Sequence, residues 1–241
     1  MIADPARASR PDLWPSDPDQ ARALQERLAP EVRVEPLDAG AVRLAVGLDV
    51  SYAPEEDRLV AAAVVLSLPG LEIVESAAAD AAPAFPYVPG LFAFRELPPL
   101  LEAIGRLSVV PDVFVCDGFG LAHPRRFGLA CHLGWLLDRP TIGVGKSPFV
   151  GRSDEPGAER GARAPLVDDD GTEVGCALRT RTGVRPVYVS VGHRADLEGA
   201  VDLVLRLTPR YRLPETVRAA DHLSRERLKG PTAAEGPASG S

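Results

Sequence analysis

Two apolar runs in the chain each end on an aspartate: "LAVGLD" on Asp49 and "VFVCD" on Asp117. In open α/β sheets, ligands gather at the carboxyl ends of strands. Aspartates ending two neighbouring strands would face each other at that edge, and like charges so placed need a proton or a cation between them. The chain has no histidine–cysteine cluster of zinc type, so these hard oxygens point to Mg²⁺, with Mn²⁺ as a substitute. Taken singly, each aspartate reads equally well as a turn residue or helix cap, and Asp117-Gly118 is an ordinary turn dipeptide. Glu96, in "AFRELPP", reads by itself as a first-turn acid favoured by the helix dipole.

Lys146 poses a different question. Gly145-Lys146-Ser147 in "TIGVGKSPFVG" copies the end of a nucleotide phosphate loop. That loop needs a glycine, four free residues, then Gly-Lys-Ser/Thr. Five residues before Gly145 stands Pro140, which has no N–H to donate. Ser147-Pro148 also turns the chain away from the helix that should begin there. ATP and GTP are therefore not expected as ligands. A lysine at the edge of a sheet, left unshielded by Gly145, can instead offset charge developing on a phosphate; the plain reading is a surface lysine after a strand.

"DGFGLAHPRRFG" supplies the polar surroundings. His123 lies in a glycine-flanked loop, and a helix is expected from about Pro124, with Arg125 and Arg126 in its first turn. Two cations there oppose the helix dipole, which makes sense if an anion such as phosphate binds. His123 reads also as a cap or loop residue, and His132 and His193 as structural. "FPYVPG" is an aromatic pair stiffened by two prolines. Such a wedge can stack on bases or pry them apart, or simply pack on the core.

These residues need a frame. "DPDQARALQERLAPEV" carries apolar positions at helical spacing behind an aspartate cap. "VRLAVGLDVSY", "RLVAAAVVLSL" and "LEIVESAAA" predict three strands in an antiparallel meander. "FRELPPLLEAIGRL" predicts a helix with prolines in its first turns, "PDVFVCDG" a strand buried on both faces, "PRRFGLACHLGWLLD" a helix and "RPTIGVGKS" a second buried strand. Residues 151–165 read as a mobile surface loop. Strands at 173–181 and 186–192 and helices at about 196–207 and 214–228 complete an α/β domain: three antiparallel strands, then parallel strands, in a mixed sheet with helices on both faces.

A length of 241 residues, 45% of them hydrophobic, suits one domain with a real core, expected over 13–229 between disordered tails at 1–12 and 230–241. A net charge of −7 argues against a general basic coat for nucleic acid while leaving room for a local track. The longest apolar stretch, around Leu59 to Leu68, is too short to span a bilayer, and no signal peptide is visible. Cys116, Cys131 and Cys176 read as reduced core thiols of a cytoplasmic protein.

Together the stretches "LDVSY", "PYVPGLFAFRE", "DGFGLAHPRRFGLACHLG", "TIGVGKS", "PVYVSVGHRADLEGAVDLV" and "YRLPE" resemble endonuclease V, the inosine-specific nuclease family of the ribonuclease H-like superfamily. They occur in the family's order and spacing over nearly the whole chain. The resemblance implies that Asp49, Glu96 and Asp117 bind the metal, with His123 and Lys146 near the scissile phosphate. It implies that Pro86, Tyr87, Val88 and Pro89 form a strand-separating wedge. The loop with Gly118, Gly120 and Leu121 would receive a flipped base, and the cut would fall at the second phosphodiester 3′ to inosine. A late metal position falls on Asp221, next to His222. Phe119 departs from the family, which more often has a polar residue there. Arg95, Arg125, Arg126 and Arg152 are the candidates for a backbone track. The expected partner is inosine-containing DNA bound by a monomer. Inosine-containing RNA or branched DNA is the alternative substrate, and a non-catalytic relative the rival class.

Overall fold

The computed structural model describes residues 10–230. The expected tails at 1–12 and 230–241 fall mostly outside that range, although Pro11–Leu13 form one short 3-10 turn with Leu13 buried. Helix α1 (Pro18–Leu28) starts where the Asp17 carboxylate accepts from the backbone N–H groups of Asp19 and Gln20, replacing partners that a first turn lacks. Strands β1 (Leu44–Ala53), β2 (Arg58–Ser67) and β3 (Ile73–Ala81) follow as the antiparallel meander expected from their short, turn-rich connections. Then come α2 (Phe92–Gly105), β4 (Val113–Cys116), α3 (Leu129–Leu137), β5 (Thr141–Gly145), β6 (Arg163–Val167), β7 (Glu173–Leu178), β8 (Val187–Val191), α4 (Leu197–Leu207) and α5 (Glu215–Lys229).

All eight strands join one sheet in the order β3-β2-β1-β4-β5-β8-β7-β6. This is the mixed sheet of a ribonuclease H-like fold, with β4 and β5 wholly buried as their unbroken apolar runs require. The parallel part is shorter than the sequence suggests. Only β1, β4 and β5 run parallel, whereas β8, β7 and β6 return antiparallel. One core fills the face under α1, α2 and α3, drawing Val46, Leu48 and Cys116 from the sheet. The other lies under α4 and α5 and takes Ala45, Val113 and Val115. Alternation along β1 thus sends even positions to one face and odd positions to the other. Helix α5 crosses so close to β1 that a Cβ on Gly47 would fall 2.1 Å from the Thr216 carbonyl carbon and oxygen.

Four expectations need correction. Asp49 does not end its strand, because β1 continues with β2 as far as Ala53. It is the parallel partner β4 that stops, after Leu48 pairs with Cys116. The next residues along the two strands are therefore Asp49 and Asp117, side by side as required. Helix α2 begins at Phe92, which puts Glu96 in its second turn. Helix α3 begins at Leu129, so Arg125 and Arg126 precede it in a loop and the dipole argument for an anion there fails. Finally, the end of the 151–165 segment enters strand β6 on the sheet edge, where a proline such as Pro165 is tolerated.

Candidate active site

The acids meet where β4 ends, approaching from both faces of the sheet. Asp49 is buried on the α5 side, and its Oδ2 accepts from the Ser224 hydroxyl at 2.8 Å. Glu96 reaches in from α2 on the opposite side, and its Oε1 accepts from the Tyr52 hydroxyl at 2.8 Å. Asp117 lies between them at the open edge, ion-paired to Lys146 at 2.5 Å. Arg212 fixes the base of that lysine by donating to the Lys146 carbonyl at 2.6 Å and to the Pro186 carbonyl at 2.7 Å. Among the described residues no three acids, histidines or cysteines are already drawn into a metal-holding cluster; each acid is held by a protein partner instead.

The acids nonetheless feel one another. Burial raises the Asp49 carboxyl to about 6 against the Ser224 hydrogen bond, with the charges of Asp117 and Asp221 adding to the rise. Burial, then the charges of Asp49 and Asp117, raises Glu96 to about 7 against the Tyr52 hydrogen bond. Lys146 moves up as well. Its partial burial opposes the charge, but the hydrogen bond to Asp117 and the fields of Asp117, Asp49 and Asp221 prevail. The charge of Asp221 on α5 thus reaches both Asp49 and Lys146, and Asp221 and His222 both line the groove beside them.

These shifts have a sign. Both folded carboxyls lie above their ordinary values, so the folded chain holds more protons than the unfolded one from about pH 4 to 7, and stability falls as pH rises through that window. In metal-free protein, Asp49→Asn should therefore gain stability over the unaltered chain, a gain that grows from about pH 4 to about pH 6 and levels off above about pH 7 at on the order of 2–3 kcal/mol. A melting-temperature difference that stays flat with pH would show that Asp49 carries no displaced proton.

Asp117 is shared by two hollows. On the α2 face it joins Glu96, Gly90, Gly118, Phe119, His123 and Phe149 around an apolar cavity of about 240 Å³. On the α5 face it joins Lys146 and Asp221 in a polar groove of about 420 Å³. Phe119 stacks on Phe149 with ring centres 6.2 Å apart. The Phe119 ring also sits where a Cβ on Gly145 would fall, 2.2 Å away. Gly145 thus seats Phe119 and does not clear a path for the lysine. Gly120 is equally committed, since its Cβ would meet the Val191 carbonyl at 1.9 Å, and the Leu121 N–H donates to that same carbonyl at 2.8 Å.

The "FPYVPG" loop is anchored at one end and offered to solvent at the other. Phe85 is 3% exposed and packs on Phe94, whereas Tyr87 is 70% exposed with its ring tilted over Phe92. The packed-loop reading holds for Phe85 and fails for Tyr87. At the far end, Gly90 takes a left-handed φ of 80°, and its carbonyl receives three donors: Gln25 Nε2 at 3.0 Å, His123 Nε2 at 2.9 Å and Arg125 Nη2 at 3.0 Å. His123 Nδ1 accepts the Arg125 backbone N–H at 3.2 Å, so both ring nitrogens are used within the protein. Burial, aided by the charges of Arg125 and Arg126, lowers His123 to about 4, leaving it neutral near pH 7. That arrangement makes His123 a brace for the loop and removes support for a proton-transfer role.

Three of the four arginines expected along a phosphate track are engaged elsewhere. Arg95 donates to the Phe85 carbonyl at 2.7 Å and lies over the Tyr52 ring. Arg125 holds Gln25 Oε1 at 2.6 Å besides Gly90. Arg126 pairs with Asp168 at 2.5 Å and Asp170 at 3.3 Å. Arg152 is exposed, its backbone bridged to Val167. Gln25, Tyr52, Ser224 and Phe149 were not foreseen. Only Phe149 carries a local signal, an aromatic after Pro148 beside the singled-out lysine, the same pattern that marked Tyr87.

The endonuclease V family profile matches residues 26–222. Endonuclease V of Streptomyces avermitilis is 52% identical over 224 residues, covering 92% of this chain and 97% of its own. The crystal structure of endonuclease V from that organism superposes with a TM-score of 0.87 at 52% identity, covering 90% of this chain and 95% of its own. Endonuclease V of Ciona intestinalis, crystallised with a 24mer DNA containing an inosine followed by a ribo-adenosine, gives a TM-score of 0.77 at 28% identity, with 88% and 97% covered. With a family match across most of its length and a relative more than half identical over nearly all of it, this chain belongs to the endonuclease V family of phosphodiester-cleaving nucleases.

Proposed function

We propose that this chain is a divalent-metal-dependent endonuclease that recognises inosine in DNA and cuts the second phosphodiester 3′ to it, leaving a 5′-phosphate and a 3′-hydroxyl. The observation that carries the reading is the position of Asp117, which borders both an apolar cavity and a groove holding Lys146. One hollow suits a flipped base and the other a phosphate. The Ciona relative's complex with inosine-containing DNA supports the same substrate here.

The donor set fits a hard divalent cation. Asp49, Glu96, Asp117 and Asp221 offer only carboxylate oxygens, and a Mg²⁺ or Mn²⁺ ion would offset both the burial that chiefly raises Asp49 and Glu96 and the neighbouring negative charge that adds to it. Held there, such an ion supplies charge neutralisation and an acidified water for in-line attack at phosphorus. The protein does the rest. Ser224 and Tyr52 orient the Asp49 and Glu96 carboxylates. Lys146 stays protonated beside Asp117 and places positive charge where a scissile phosphate gathers negative charge. The Phe119–Phe149 stack offers an apolar wall for a base, and a mispaired base costs little to unstack.

Tyr87 serves this scheme as the wedge. Tyr87→Ala should slow cleavage of inosine in duplex DNA by about tenfold or more, since stacking contributes about 1–3 kcal/mol per base, and should slow cleavage of a single strand less. Equal losses on both substrates would remove the wedge role. The whole reading is tested with matched DNA and RNA strands, with and without one inosine, in Mg²⁺ and after chelation. Cutting of the inosine DNA alone, lost on chelation, is expected. Equal cutting of the undamaged strand would sink lesion recognition, and preference for the RNA strand would reassign the substrate.

A further inference from the structure

Most arginines near the site are spent on the protein itself, yet the polar groove beside Asp117 and Lys146 continues along α5 past Arg218, Asp221, His222, Arg225 and Lys229. Positions 218, 222, 225 and 229 recur at intervals of four, three and four. At 3.6 residues per turn they fall within an arc of about 60°. All four are exposed, while Val217, Ala220 and Ser224 on the opposite side are buried against the sheet. Arg218 is held flat on the Tyr211 ring, 3.7 Å from its centre.

The stripe is basic along its middle and acidic at its flanks. Arg218 pairs with Glu215, Arg225 with Asp221 and Lys229 with Glu226. Exposed pairs of this kind contribute little, so their cations exchange readily onto a stronger, multivalent anion. On a chain of net charge −7, a one-sided row of cations starting at the scissile edge is the local track that the overall charge forbids elsewhere.

We infer that this face of α5 carries the sugar–phosphate backbone of the nucleic-acid strand leading away from the scissile phosphate, with Arg218, His222, Arg225 and Lys229 contacting successive phosphates. The inference rests on the nuclease reading above but does not need inosine, because backbone contacts are indifferent to sequence.

The test therefore uses an undamaged single-stranded DNA and reads binding by fluorescence anisotropy across a salt series. The double variant Arg218→Gln/Lys229→Gln leaves Asp221 and its partner in place. Its log Kd against log salt slope should be shallower than that of the unaltered protein by about 1.4, roughly 0.7 for each lost single-strand phosphate contact. Arg163→Gln, which breaks an equally exposed pair with Glu198 on the far edge strand, should leave the slope unchanged. The unaltered protein should also gain affinity as the strand is lengthened, and the double variant should lose most of that gain. Identical slopes in all three proteins, or an equal drop in both variants, would overturn the track. Failure to prefer inosine, with the slope difference intact, would strike the lesion reading alone.

Discussion

Asp117→Asn is expected to reduce cleavage of inosine-containing DNA by about a thousandfold or more, which corresponds to about 4 kcal/mol of lost transition-state stabilisation. The substitution keeps shape and volume and removes one negative charge from the point that the apolar cavity and the polar groove share. It costs the site an anionic oxygen donor for the cation and frees Lys146 from its 2.5 Å partner. The fold should not suffer, since the aspartate repels Asp49 and Glu96 and its partner Lys146 is about half exposed. Single-turnover cleavage and a thermal melt on the same preparation check this. Activity within tenfold of the unaltered enzyme would remove Asp117 from the chemistry, and a collapsed melting temperature would make it structural.

Gly47→Ala is expected to cost about 3 kcal/mol of stability, lowering the melting temperature by roughly 6–12 °C for a chain of this size. The added Cβ would lie 2.1 Å from the Thr216 carbonyl and 2.7 Å from the Val217 nitrogen. Those are backbone atoms, with no flexible tip to swing aside, so α5 must lift from β1. Because the same helix carries Ser224 and Asp221, cleavage should fall along with stability. Gly105→Ala is the control: nothing lies within 4 Å of its Cβ, and in helix α2 it should leave stability unchanged or add about 0.5–1 kcal/mol. A Gly47→Ala protein as stable as that control would mean that α5 does not rest on this glycine.

What could be seen in the sequence followed from local pattern. "VFVCD" and "TIGVGKS" mark buried strands with polar ends, and the short, turn-rich connections between the three β-type runs up to Ala81 mark an antiparallel meander. The meander also hid the true place of Asp49, since only the length of its neighbour β4 decides where an open edge begins. Helical spacing runs from Pro124 onward, yet α3 starts only at Leu129. Tertiary need overrode it: residues 123–127 stay irregular so that His123 and Arg125 can hold Gly90, and Gly128 backs onto the Phe119 carbonyl. Strand β6 was obscured by the glycines, charges and proline before it. Gln25, Tyr52 and Ser224 act on partners 65, 44 and 175 residues away, separations at which no periodicity speaks.

The two most deeply buried of those helpers lie just beyond the recognisable span. The family profile runs from residue 26 to residue 222, so Gln25 stands one position before it and Ser224 two after it. Yet Gln25 ties α1 to the carbonyl at the root of the Tyr87 loop, and Ser224 holds the carboxylate of Asp49. A version trimmed to the matching region would keep the four acids and Tyr87, but would lose α1 up to Gln25 and α5 from Leu223 onward, with the buried Leu13, Ala21, Leu24 and Ser224. Its predicted fault is a loosened site: reduced helical content, a lower melting temperature and weaker cleavage. The smallest working unit of this enzyme is therefore larger than the part by which it is recognised.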